Sequence, residues 1–173
     1  QIHTPENRRS MLWLSRGGSD ACVVREFDLQ KKEFVEDGFV VPEAKSDISW
    51  KDADTLYVGT KFDDDSMTES GYPRVIKVWN RGTPLAEAVF LYEVQKEDLA
   101  ASAWVSRRPE GCHEFVSRSI DFWNEETHYL KDGEKIKLEL PTDAPLRGLF
   151  QGQILLTPRS QWGEIPAGAL ASV

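Results

Sequence analysis

Cysteine is scarce in this chain: Cys22 and Cys112 stand alone, with no C-x-x-C pair and no metal-ligand spacing. They read as two free core thiols, each near the start of a similar strand, and the redox compartment stays open. Histidine is nearly as rare. His3, His113 and His128 show no H-x-x-x-H or H-E-x-x-H spacing, so each reads as an ordinary structural histidine rather than a zinc ligand. A basic stripe is also missing, because Arg8-Arg9 and Arg107-Arg108 are isolated pairs in a chain of net charge −8. That balance disfavours a nucleic-acid partner. No apolar run approaches the ~18–20 residues that span a bilayer, which predicts a soluble segment with no membrane partner. No charged leader followed by an apolar stretch marks a signal peptide. The start at Gln1 and the apolar finish at Val173 read as a trimmed domain or, second, a processed mature protein.

Helical periodicity is the last absence. One turn over Pro84-Leu85-Ala86-Glu87, with Thr83 as its N-cap, is the only local helix signal. What is present is strand after strand. The 173 residues are 40% hydrophobic, enough for one domain with a real core. Met11–Leu14 and Ala21–Leu29 flank Gly17-Gly18, and Phe34-Val35 and Phe39–Val41 flank Asp37-Gly38 before Pro42 closes the unit. Asp47–Trp50, Thr55–Thr60, Arg74–Trp79 and Ala88–Val94 make a second set. Ala100–Ser106 and a long run from Cys112 to Trp123 open a third, which ends in a hairpin around Lys131-Asp132-Gly133-Glu134. In that hairpin Ile136, Leu138 and Leu140 alternate with Lys135, Lys137 and Glu139, which predicts one buried face and one wet face. A fourth set opens at Leu146–Phe150 and Gln153–Thr157. The fold class is all-β, in consecutive four-stranded antiparallel modules at roughly 9–42, 46–94, 98–141 and 145–173, the last truncated. That spacing fits the blades of a β-propeller, with a sandwich as the competing architecture.

Several residues resemble sites. Gly17-Gly18-Ser19-Asp20-Ala21 comes close to the G-x-S-x-G elbow of a serine hydrolase, and Ser19, Asp121 and His128 would follow in triad order. The chemistry needs a helix after the serine, and Cys22–Phe27 is a strand former, so this is a hairpin turn. Asp63 and Asp65 offer oxygens in an acidic loop without the calcium-loop pattern; position 74 is Arg where its closing Glu would fall. The six tryptophans (Trp13, Trp50, Trp79, Trp104, Trp123 and Trp162) read as core rather than as an exposed binding row. No catalytic, cofactor-binding or metal-binding residue is assigned.

The run Ser70–Leu85, with Tyr72-Pro73-Arg74 and Val78-Trp79-Asn80-Arg81-Gly82, resembles the N-terminal propeller of bacterial prolyl oligopeptidase-type serine peptidases. So do Gly17–Asp20 with Val24–Asp28, Pro42–Ser46, Asp54–Thr60, Phe115–Arg118 with Ile120–Phe122, and Ile165–Gly168, in the same order. The resemblance implies about three to four blades of a seven-bladed propeller, and none of the Ser-Asp-His triad, which lies in a separate α/β-hydrolase domain. It implies a non-catalytic segment that gates short peptides, with that C-terminal domain as partner and hydrolysis after proline as the parent reaction. The alternative is a self-contained propeller or sandwich module binding peptide or carbohydrate. Open blade faces also imply self-association. Arg74 and Tyr72 are candidates to face a channel.

Overall fold

A computed structural model of the chain describes residues 7–173, so His3 lies outside the described residues. The described residues fold into four antiparallel sheets in sequence order, with one short 3₁₀ turn at Leu85–Glu87. The first sheet holds β1 (Arg9–Ser15), β2 (Cys22–Asp28), β3 (Glu33–Phe34) and β4 (Val40–Ala44). The second holds β5 (Asp47–Trp50), β6 (Thr55–Gly59), β7 (Val75–Asn80) and β8 (Val89–Glu93), hydrogen-bonded in that order. The third holds β9 (Ala100–Arg108), β10 (Gly111–Ser119), β11 (Glu125–Lys131) and β12 (Glu134–Lys137). The fourth holds β13 (Leu146–Phe150), β14 (Gln153–Leu156) and β15 (Ala171–Ser172).

The period-2 geometry of strands explains how the sheets stack. In β6, Leu56 and Val58 point into a cluster with Met11, Val24, Phe39, Val41, Ile48, Trp50 and Trp79, which joins the first sheet to the second. Tyr57, between them, points the other way, into a cluster with Ile76, Val94, Ala101, Ala103 and Val116 that joins the second sheet to the third. A strand buried on both faces reads as a continuous apolar run, which is why Leu56-Tyr57-Val58 does not alternate with polar residues. Gly59 ends it where the packing is tightest: a Cβ there would lie 2.6 Å from Ile76 Cδ1. The first strands of the second, third and fourth sheets neighbour one another, β5 against β9 and β9 against β13. Sheets that share a line of first strands and stack through their faces are propeller blades, not the two layers of a sandwich.

Several expectations need correction. Phe34 and Phe39–Val41 flank the Asp37-Gly38 turn as read, and β3 and β4 lie one after the other along the same edge of β2. Pro42 does not close the unit but sits inside β4, where the register against β2 slips between Cys22↔Ala44 and Val24↔Val41. A bulge on an edge strand tolerates a residue without an N–H. The run through Trp123 breaks at Ser119, because the Asp121 carboxylate accepts the backbone N–H groups of Trp123 (2.7 Å) and Asn124 (2.8 Å) and turns the chain. Thr83 is no N-cap; its hydroxyl donates to the Asn80 carbonyl, and the turn carries no side-chain cap. The alternation in β12 buries no face, since Ile136 is 44% exposed and all four of its residues are open. The hairpin itself forms as read, with Asp132 and Gly133 at φ 52° and 83°.

Candidate functional site

Two grooves open at opposite ends of the contact between the second and third sheets. The larger, about 640 Å³, lies beside the β5–β6 and β11–β12 turns. Its floor is a polar clasp. Lys51 Nζ donates to Glu114 at 2.6 and 2.8 Å and lies 3.1 Å from the Tyr57 hydroxyl, which itself donates to Glu114. Burial, then the neighbouring Glu114 carboxylate, pushes the Tyr57 phenol far above its ordinary range, so it stays a donor. Arg107 adds a second tie across this contact, donating to the carbonyls of Trp50 (3.0 Å) and Lys51 (2.6 Å).

The other groove, about 380 Å³, is lined by Asp20, Lys45, Tyr72, Pro73, Ala100 and Ser102 around Asp47. Asp47 opens β5, and its carboxylate accepts the Ala103 N–H of β9 at 3.3 Å. Desolvation raises its pKa to about 6 against those weak backbone and Ser102 hydrogen bonds. Lys45 does not neutralise it: its ammonium sits 4.2 Å over the Tyr72 ring and 3.8 Å from Asp20. The fully buried acids Glu26 and Asp98 are well matched. Glu26 is held by Arg81 (2.7 and 3.0 Å), Arg9 (3.2 Å) and the Phe39 N–H (3.0 Å), and Asp98 by a two-pronged Arg118 (2.9 Å each) and the Gln95 N–H.

The residues that resemble sites are scattered. Ser19 sits in the β1–β2 hairpin, between glycines at φ 69° and 83° and a following strand, and its Oγ accepts the Ala21 N–H. Asp121 caps the β10–β11 turn, and His128 lies in β11 at 5.7 Å from the Tyr92 ring, so the three belong to different parts of the molecule. Burial lowers the His128 pKa and raises that of Tyr92 to about 12. His113 contacts the Tyr129 hydroxyl at 3.3 Å. Asp63 caps its own loop through the Asp65 N–H, and Asp65 pairs with Lys96. Cys22 is buried but Cys112 is exposed, so only one thiol belongs to the core. Of the tryptophans only Trp50 and Trp79 are fully buried; Trp123 (64% exposed, under Arg159) and Trp13 (38%) are open. Trp13 lies in β1 and Trp123 in the β10–β11 turn, so the two form no common row. Arg74 is tied to Asp65, Glu93 and Val94, whereas Tyr72 lines the smaller groove. Asp47 escaped the sequence reading because a lone Asp before Ile-Ser-Trp carries no spacing signal. Only the neighbouring sheet desolvates it.

Successive antiparallel sheets stacked through both faces along neighbouring first strands define a section of a β-propeller. The chain belongs to the family of prolyl oligopeptidase N-terminal β-propeller domains, whose sequence profile matches residues 3–154. It is 39% identical over 164 residues to an uncharacterised peptidase, y4nA, of Sinorhizobium fredii, covering 91% of this chain and 23% of that protein. It is 32% identical over 183 residues to an uncharacterised peptidase, RP174, of Rickettsia prowazekii, covering 95% and 25%. The chain thus spans about a quarter of the length of these relatives. Among solved structures, a post-proline cleaving enzyme from Rickettsia typhi superposes with a TM-score of 0.90 at 29% identity, over 100% of this chain and 28% of that one. Oligopeptidase B from Leishmania major shares the fold alone, with a TM-score of 0.64 at 12% identity over 91% of this chain and 22% of its own.

Proposed function

We propose that this chain is a non-catalytic propeller segment of a prolyl oligopeptidase-like serine peptidase, where it limits access of short peptides to a separate α/β-hydrolase domain. The observation that carries this reading is the likeness, along the whole of this chain, to just over a quarter of a post-proline cleaving enzyme. The physical argument is division of labour. Acyl transfer needs a nucleophile, a base and oxyanion donors within hydrogen-bond reach of one another. Here Ser19, Asp121 and His128 sit in separate turns and strands, while rigid stacked sheets suit a wall that sizes and orients substrates.

The test compares this chain with the full-length parent on a chromogenic prolyl peptide. Turnover by the parent and none by the chain is expected, and Ser19→Ala should change nothing in either. Robust hydrolysis by the chain alone would sink the reading. Gating has its own measurement. Loosening the clasp with Glu114→Gln in the parent should raise the rate on long peptides relative to short ones, and an unchanged ratio would remove the gating role. The end faces of the isolated chain, with Leu14 and Val40 exposed on the first sheet and Phe150 on the fourth, are proposed to drive self-association. A monodisperse monomer in sedimentation would refute that.

A further inference from the structure

We propose that Phe122, Trp123 and Arg159 form the anchor by which one end of this sheet stack holds the α/β-hydrolase domain. The proposal deepens the peptidase reading and rests on it for the identity of the partner. Folding normally covers most of a large aromatic side chain. Yet Phe122 is 76% exposed, the most of any large apolar residue among those described, and Trp123 is 64% exposed. The two sit side by side in the β10–β11 turn. Exposed apolar groups held together in this way mark contact sites, and Trp and Arg are the residue types in which binding energy concentrates.

The turn that carries them is firmly held. The Asp121 carboxylate accepts the Trp123 and Asn124 N–H groups and the Asn124 side-chain amide, and Ile120 N–H donates to the Asn124 carbonyl at 2.9 Å. Thr142, in the link between β12 and β13, donates its hydroxyl to Asn124 Oδ1 at 3.0 Å and accepts the Glu125 N–H at 2.8 Å. In the same link the Asp143 carbonyl accepts the Arg159 N–H at 3.1 Å, and its carboxylate accepts the Ser160 N–H. Arg159 lies 4.8 Å over the Trp123 ring. Toward the second sheet, Leu99 N–H donates to the Ser119 carbonyl, and the Thr68 hydroxyl donates to the Leu99 carbonyl. Loops 60–74, 94–99, 120–124, 138–145 and 157–170 thus make one hydrogen-bonded floor across three sheets. A preordered surface loses little entropy when a partner settles on it.

Two observations select the occupant. The chain covers 23% and 25% of its two curated relatives, so most of each such peptidase lies outside the matched stretch and needs a surface to pack on. The opposite end of the stack offers less: apart from segment 81–88, its turns at 51–54, 109–110, 132–133 and 151–152 are short and mostly polar. The second observation is charge. In a chain of net charge −8, the exposed Arg159 guanidinium has no ion pair among the described residues. Its N–H donors lie beside an apolar pair, which fits a partner surface with a carboxylate next to an apolar pocket.

The experiment maps hydroxyl-radical labelling of side chains by mass spectrometry in the full-length parent and in the 173-residue chain. Trp123 should be labelled about tenfold more slowly in the parent, as for an anchor shielded from water. Phe90, on the outer strand β8, should be labelled alike in both. Phe122→Asp, at an open tip, should leave the circular dichroism and the Trp123 labelling of the chain unchanged, and in the parent it should restore most of the lost labelling. Equal Trp123 labelling in the two proteins, or protection that survives Phe122→Asp in the parent, would overturn the anchor. So would protection in the chain that grows with its concentration, which marks a contact between copies. Hydrolysis of a prolyl peptide by the parent is a separate readout: turnover with an unprotected Trp123 removes the anchor and leaves the peptidase reading standing.

Discussion

The contact between the first and second sheets and the contact between the second and third are built from different materials. The first is a large apolar cluster of nine buried residues, centred on Trp50 and Trp79, each of which packs edge-on against Phe39 (5.9 and 4.8 Å between centroids). The buried Glu26 beside it is saturated by Arg9, Arg81 and the Phe39 N–H. The second is thinner, with Ala101 and Ala103 where the first has aromatic rings, and its two ends rest on polar groups, the Lys51–Tyr57–Glu114 clasp and Asp47. Dispersion and apolar burial scale with contact area, so the first contact is fixed by packing. The second adds solvent-accessible polar ties to a smaller apolar cluster, and such ties are the part that salt screens. One blade junction rests on apolar packing, and its neighbour combines a thinner apolar contact with polar ties at its ends.

Trp50→Ala should break the first contact most severely. Its side chain is 1% exposed, and removing it costs about 3–5 kcal/mol, read as a large drop in the denaturant midpoint. Glu26→Gln follows at about 3 kcal/mol, since it leaves two arginines facing an uncharged buried partner. Equal loss from Glu26→Gln and Glu114→Gln would erase the distinction between the two junctions. Glu114→Gln itself should cost only about 1–2 kcal/mol, because the clasp is open to water on one side, and added salt should shrink the difference.

Asp47 sharpens the comparison through pH, with the smallest expected effect. Its folded pKa of about 6 lies above the unfolded 3.8, so the folded state binds the extra proton. Its contribution to stability is therefore full below pH 3.8 and lost as pH rises through 6. A rise from 3.8 to about 6 is worth about 3 kcal/mol at full desolvation, and water reaching the half-buried carboxylate screens most of it. Asp47→Asn should therefore gain about 1 kcal/mol over the parent residue at pH 7 and nothing at acid pH, measured by thermal melts across that window. A difference that is flat with pH would show that the charge is compensated.

Much of this architecture was legible along the chain. β6 announced double-sided burial through Leu56-Tyr57-Val58, and Asp132-Gly133 announced the hairpin because only a few residues accept that backbone. The ordered pieces around Ser70–Leu85 pointed to the propeller family, which the profile match over residues 3–154 shows. Burial read from strand alternation failed at β12, because an outermost strand has no neighbouring sheet over Ile136. It failed at Trp123 because Asp121 turns the chain before the strand reaches it. The groove at Asp47 left no mark at all in the sequence.

The sequence by itself determined the all-β class, the order of the strands and the family, since turn chemistry and strand patterning are local. Only the tertiary structure decided which acids are neutralised and which are not. A carboxylate's charge balance is set by side chains from other sheets: Arg81 reaches Glu26 from 55 residues away and Lys51 reaches Glu114 from 63, whereas Asp47 receives the uncharged Ala103 N–H from 56.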